Sequence, residues 1–200
     1  MSVGGTAAYA NERNLPPLVQ SAVHLAERAG FEFSCRPEQG RLLAVLAAGR
    51  TGGVVGETGT GAGVGLAWMI SASSAETTFV SIEHDADRAQ AAAELFDGLA
   101  NVTVIHGDWR ELVGHGPFDL LVLDGGGHGK AQTEPANPRE WLRLFGSLVV
   151  DDLSPASTWP PTYDADTDAE RMHWLDHPDL RTTELRLAPD LASLVALRVR

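Results

Sequence analysis

Five short apolar runs, Val54-Val55, Phe79 to Ile82, Val102 to Ile105, Phe118 to Leu123 and Leu148 to Val150, recur from residue 54 onward, mostly separated by helix-patterned stretches. Strands buried on both faces of a parallel sheet look like this, because helices cover both sides and leave no polar face. An α/β doubly wound sheet is the expected fold. Upstream, Pro16 and Pro17 open a predicted helix on which Leu18, Val19, Ala22, Leu25, Ala26 and Ala29 recur at helical spacing until Gly30 ends it. Ser34 before Pro37 starts a second, carrying Leu42, Leu43, Val45 and Leu46 and stopping near Gly49. Asp85 is the expected cap of the helix bearing Ala86, Ala89, Ala93 and Phe96. The rhythm changes near the C-terminus. There Thr182 to Leu187 and Leu194 to Val199 are joined only by Ala188-Pro189-Asp190, which is the spacing of an antiparallel hairpin.

The 200 residues suit a single domain. Residues 1–14 are small and polar and are expected to fray, and the helices over 15–50 are expected above the active site. A formal net charge of -12, with no Lys/Arg cluster to interrupt it, repels phosphate backbones, so nucleic acid is not an expected partner. No run of about 18 apolar residues is present to span a bilayer. Met1 to Asn14 lacks the basic start and apolar core of a secretory signal, so a cytoplasmic location is expected. Cys35 is the one cysteine, which excludes an internal disulfide and a cysteine-based zinc cluster.

Between the first strand and its helix lies Glu57-Thr58-Gly59-Thr60-Gly61-Ala62-Gly63. This is the switch-point crevice of an α/β sheet, where glycines let a ligand approach the backbone. The dinucleotide fingerprint G-x-G-x-x-G fails, since Val64 or Leu66 falls where its third glycine belongs, and there is no G-K-[ST] for a P-loop. Glu57 at the mouth of the loop would repel a pyrophosphate. It would attract the ammonium and sulfonium of S-adenosylmethionine, which has no phosphate. Glu83 ends the second strand roughly 20 residues on, where an acid can take both ribose hydroxyls, and His84 beside it can pack on the ribose. Asp108, after the third strand, either accepts from an adenine amino group or caps a helix. Trp109 either stacks on the base or fills the core.

The motifs E-T-G-T-G-A-G, S-I-E-H-D, H-G-D-W, F-D-L-L-V-L-D and L-V-V-D-D, in this order, resemble those of class I S-adenosylmethionine-dependent methyltransferases. Arg36-Pro37-Glu38-Gln39-Gly40 and the pattern from Asp176-His177-Pro178 to Val199 are similar to the catechol-type O-methyltransferase group. The resemblance covers about residues 34 to 200. It implies a seven-stranded sheet whose last strand is inserted antiparallel, and transfer of a methyl group to a small-molecule acceptor, a hydroxyl first. It also implies a cofactor set of Glu57, Gly59, Gly61, Gly63, Glu83, His84, Asp108, Trp109 and Asp124.

Asp124 ends strand four and Asp151-Asp152 end strand five, so three carboxylates are expected to converge at the ligand-binding edge. Such hard oxygen ligands suit Mg²⁺, which would lower the pKa of a catechol-like hydroxyl. The group holds its metal with an acid and an Asp-Asn pair at these positions, and its lysine base would fall at Gly127. Here Asp152 replaces the asparagine, and Lys130 lies three positions on in Gly125-Gly126-Gly127-His128-Gly129-Lys130. Without metal, Asp124, His128 or Lys130 is left to manage the acceptor's proton. Trp159 is a candidate wall for an aromatic acceptor, and the N-terminal helices offer a face for a homodimer. Two rival readings keep the fold: a metal-free N- or C-methyltransferase, and a non-catalytic S-adenosylmethionine-binding protein.

Overall fold

A computed structural model describes residues 4–130, 133–164 and 166–200, with every side chain among them except that of Asp152. Two helices come first, α1 (Pro17–Ala29) and α2 (Pro37–Ala48), each with proline in its first turn. The alternating part follows as β1 (Val54–Thr58), α3 (Val64–Ala72), β2 (Thr78–Glu83), α4 (Ala86–Leu95), β3 (Val102–His106) and β4 (Phe118–Leu123). A short α5 (Pro138–Trp141) runs directly into β5 (Leu142–Leu153). A two-residue pair, β6 (Thr162–Tyr163) and β7 (Asp166–Thr167), then α6 (Ala169–Leu175), lead to the hairpin β8 (Leu180–Ala188) and β9 (Leu191–Arg198).

The main sheet has the order β3-β2-β1-β4-β5-β9-β8. β3, β2, β1, β4 and β5 are parallel, and β9 runs antiparallel between β5 and β8. This is the Rossmann-like methyltransferase arrangement implied by the resemblance. The period of two sorts the strands' apolar side chains between two cores. Leu120, Val122 and Val149 face one with Val19, Leu43, Met69 and Phe79, while Leu121, Leu123, Leu148 and Val150 face the other with Leu112, Trp141 and Trp174. Each such side chain contributes about 1.5–3 kcal/mol of burial, so the sheet centre is the stable frame from which loops project. Asp85 caps α4 as expected, accepting from the Arg88 amide. Among the described residues no helix is long and apolar enough to cross a membrane.

Residues 4–12 differ from the expected frayed tail. Ala7–Asn11 forms a 3₁₀ turn that buries Tyr9. The Thr6 amide donates to Glu32 O, its hydroxyl donates to Phe31 O and meets Ser34 Oγ, and the Tyr9 hydroxyl donates to Cys35 O at 2.8 Å. Trp68 Nε1 donates back to the Tyr9 hydroxyl at 2.9 Å. Burial pushes the Tyr9 phenol well above its ordinary value, so it keeps the proton with which it donates. Tyr9→Phe strands a part-buried carbonyl and a buried indole N–H, at a cost of about 2–4 kcal/mol, or a melting temperature lower by about 5–10 °C. A thermal melt unchanged by this substitution would show that water replaces both bonds.

Candidate active site

A cavity of about 440 Å³ opens at the C-terminal ends of the parallel strands, under the loop between α1 and α2. Its floor is the glycine turn. Gly59 and Thr60 donate their amides to Ile82 O, while Asp124 and Gly125 donate theirs to Thr58 O, stitching the turn to β2 and to the end of β4. Gly59 has φ +83, and a Cβ there would lie 2.4 Å from the Gly125 nitrogen. Two backbones therefore meet at van der Waals limit, which only glycine permits. Gly61 and Gly63 also take left-handed φ, and Gly63 is the N-cap of α3.

Three acids in this cavity are nearly fully buried: Glu57 at 3% exposure, Glu83 at 5% and Asp151 at 5%. Sequence reasoning set Glu57 at the mouth of the loop as a charge. The structure corrects this, since Glu57 lies on the floor, where it accepts from Ser81 Oγ at 2.6 Å. Its pKa is pushed up to about 8, chiefly by burial; the Ser81 hydrogen bond opposes this, and Glu83 and Asp151 reinforce it. Burial therefore favours the neutral acid over the carboxylate, and a nearby positive charge would favour the carboxylate. Ser81 was missed from the sequence, yet it stands two residues before Glu83 and so shares its face of β2.

Glu83 gathers four N–H donors at the end of β2. Its Oε2 accepts from the Gly61 amide at 2.8 Å; its Oε1 accepts from the Asp85 amide at 2.9 Å and from Arg88 Nη2 and Nε at 2.9 and 3.2 Å. Arg88, which sequence reasoning did not single out, also lines the cavity and lies 5.5 Å over the Phe31 ring. Phe31, Phe33 and Cys35, on the loop anchored by Thr6 and Tyr9, form the roof. The N-terminal helices themselves pack on α3, and it is mainly the loop between them that covers the site.

His84 and Asp108 also line the cavity. Asp108 takes the capping role left open by the sequence: it accepts from the Arg110 amide, which holds its carboxyl below the ordinary value, and Glu111 completes a capping box. Trp109 reaches the cavity while its ring packs 5.6 Å from Trp141 and against Gly126 and Gly127.

At the far edge Asp124, His128, Lys130 and Asp151 all line the same cavity. Lys130 Nζ donates to the Asp151 backbone oxygen at 3.0 Å, and the Lys130 amide donates to His128 Nδ1 at 3.0 Å. The neutral imidazole therefore carries its proton on Nε2. Ser193 on β9 donates to Asp151 Oδ1 at 3.1 Å, so the antiparallel strand reaches into the site. The Asp152 side chain, the third expected metal ligand, lies outside the described residues, and among those described no three His, Cys, Asp or Glu side chains gather as a metal centre. Trp159 is 72% exposed and does not line the cavity, so it is not the wall expected of it.

Residues 57–153 match a protein family described as "Methyltransferase domain". No curated protein sequence matches the chain. Solved structures do. Cofactor-bound Rv0187 from MTB is 21% identical with a TM-score of 0.74, the match covering 100% of both chains. The O-methyltransferase TomG from Streptomyces achromogenes, in complex with S-adenosylmethionine, is 18% identical with a TM-score of 0.72, over 98% of this chain and 96% of that one. An O-methyltransferase from Bacillus cereus, solved with S-adenosylhomocysteine, is 15% identical with a TM-score of 0.71 over the same shares. Residues 57–153 thus match a methyltransferase domain, and the chain shares the fold of these solved structures along nearly its whole length.

Proposed function

We propose that the protein transfers a methyl group from S-adenosylmethionine to a hydroxyl oxygen of a small-molecule acceptor. The observation that carries this reading is a glycine cradle beside three buried carboxylates, Glu57, Glu83 and Asp151, in one cavity. Such a donor set suits a ligand with two positive centres and no phosphate. Bound, S-adenosylmethionine supplies an electrophilic methyl on a sulfonium. Glu83 accepts from the ribose hydroxyls, Glu57 supplies negative charge once ionised, and His84, Asp108 and Trp109 form the wall nearest the adenine.

In-line displacement leaves the protein to align the acceptor and to take its proton. Asp124 is the base in this proposal. His128, with its proton on Nε2, donates to the acceptor oxygen, and Lys130 holds the loop on β5 through the Asp151 carbonyl. A divalent ion of the Mg²⁺ kind would be held by Asp124 and Asp151 with Asp152, and would lower the acceptor's pKa.

Calorimetry with S-adenosylhomocysteine and with NAD tests the cofactor. Binding of the first and not the second is expected, with Glu83→Ala weakening it by about a hundredfold or more through the loss of two charge-assisted hydrogen bonds. Methyl transfer followed by mass spectrometry across catechol-type and amine acceptors, with and without EDTA, tests the rest. Methylated amines in the absence of methylated hydroxyls, or tight binding with no turnover, would overturn the hydroxyl assignment. Full activity in EDTA would remove the ion.

A further inference from the structure

The carboxylate of Glu83 is crowded on one of its two oxygens. Each oxygen offers about two acceptor positions, and Oε1 already takes three N–H groups, from Asp85 N, Arg88 Nη2 and Arg88 Nε, while Oε2 takes Gly61 N and keeps one position open. The Gly61 and Asp85 amides are fixed by the glycine turn and by the start of α4. Arg88 is different. Its side chain is 39% exposed, it is the one donor of the set on rotatable bonds, and it occupies two positions at once. A vicinal diol needs two positions. We propose that Arg88 sets the cofactor affinity by competing with the ribose hydroxyls for Glu83, so that entry of the nucleoside exchanges one guanidinium for two O–H donors. The proposal rests on the reading of Glu83 as the ribose acid.

The displaced guanidinium has a place to go. Asp85 Oδ2 is 3.4 Å from Arg88 Nη1, and the Phe31 ring lies 5.5 Å from the guanidinium carbon, so a small rotation keeps an ion pair and a cation–π contact while freeing Glu83. Phe31 is also the side chain nearest the Gly61 position, at 3.0 Å from where a Cβ would be. Glu83, Arg88, Phe31 and Gly61 thus close a ring around the nucleoside end of the cavity. Opening it costs the part-exposed ion pair, which weakens as salt rises.

The test is calorimetry of S-adenosylhomocysteine, adenosine and 2′,3′-dideoxyadenosine with the wild-type protein and with Arg88→Ala and Arg88→Met, at low and high KCl. Arg88→Met keeps the aliphatic stem against Phe31, so a folding defect in the alanine variant does not end the test. Removing the competitor should tighten S-adenosylhomocysteine and adenosine by about three- to tenfold, the size of a part-exposed charge-assisted pair. Dideoxyadenosine, without the diol, should not gain. Added KCl should tighten adenosine, which is uncharged, on the wild type and leave both variants unchanged. Equal or weaker adenosine binding in both variants would overturn the proposal and make Arg88 a support for the acid. Failure of S-adenosylhomocysteine and adenosine to bind any of the three proteins would overturn the cofactor reading and this proposal together.

Discussion

Glu57→Gln is expected to raise the melting temperature at pH 8 while weakening S-adenosylmethionine by about tenfold or more, because one buried carboxyl is both a thermodynamic cost and a source of attraction. Glu57 has its pKa pushed from an ordinary 4.5 to about 8 by burial. The sign follows from which state binds more protons. Folding keeps this proton to higher pH than the unfolded chain does, so the group's contribution to stability is whole below about pH 4.5 and is lost as pH rises through about 8. Glutamine keeps the acceptor for Ser81 and has no such dependence. At pH 8 the variant should gain roughly 2–4 kcal/mol, a rise of about 5–10 °C, which vanishes near pH 4.5. Thermal melts at the two pH values decide it. A difference between the proteins that does not change with pH would mean that Glu57 stays ionised in the empty cavity.

Gly59→Ala is expected to cost about 3–5 kcal/mol and to abolish cofactor binding, since its new Cβ meets backbone and not a movable side chain. The position has φ +83, and the added carbon would lie 2.4 Å from Gly125 N and 2.5 Å from Gly125 Cα. The control is Gly98→Ala. Gly98 has φ +89 but nothing within 4 Å of its Cβ position, so it should lose only the conformational part, about 1 kcal/mol. Equal losses of melting temperature in the two variants would show that the approach of β1 to β4 yields more easily than two close-packed backbones should.

The presence and parallel direction of the central strands were legible because strands covered by helices on both faces must be continuously apolar, and that pattern survives in sequence. β5 was legible only at Leu148 to Val150, because Arg143, Gly146 and Ser147 interrupt the apolar run that the backbone nevertheless carries from Leu142 to Leu153. The binding of residues 4–12 could not be read at all: Thr6 and Tyr9 act through a few hydrogen bonds to residues 31–35, and no periodicity encodes such contacts. At the site, the acids at strand ends were visible from spacing. Their state was not. Whether Glu57 is a charge or a neutral acid depends on how much water reaches it, and that is decided by Gly65 and the roof loop rather than by its neighbours in sequence. Arg88 went unread because an arginine on the first turn of a helix ordinarily faces solvent.

The return of β9 between β5 and β8 also bears on how the chain is made. β5 emerges from the ribosome well before residues 191–198, and until they arrive its Leu148-Val149-Val150 edge has no partner on that side. A nascent chain therefore holds an apolar, unpaired strand edge through the synthesis of more than a fifth of its length, the kind of surface that invites pairing with other chains. Slow translation of the stretch between β5 and β9 should lower the soluble yield, and a chaperone that shields strand edges should restore it.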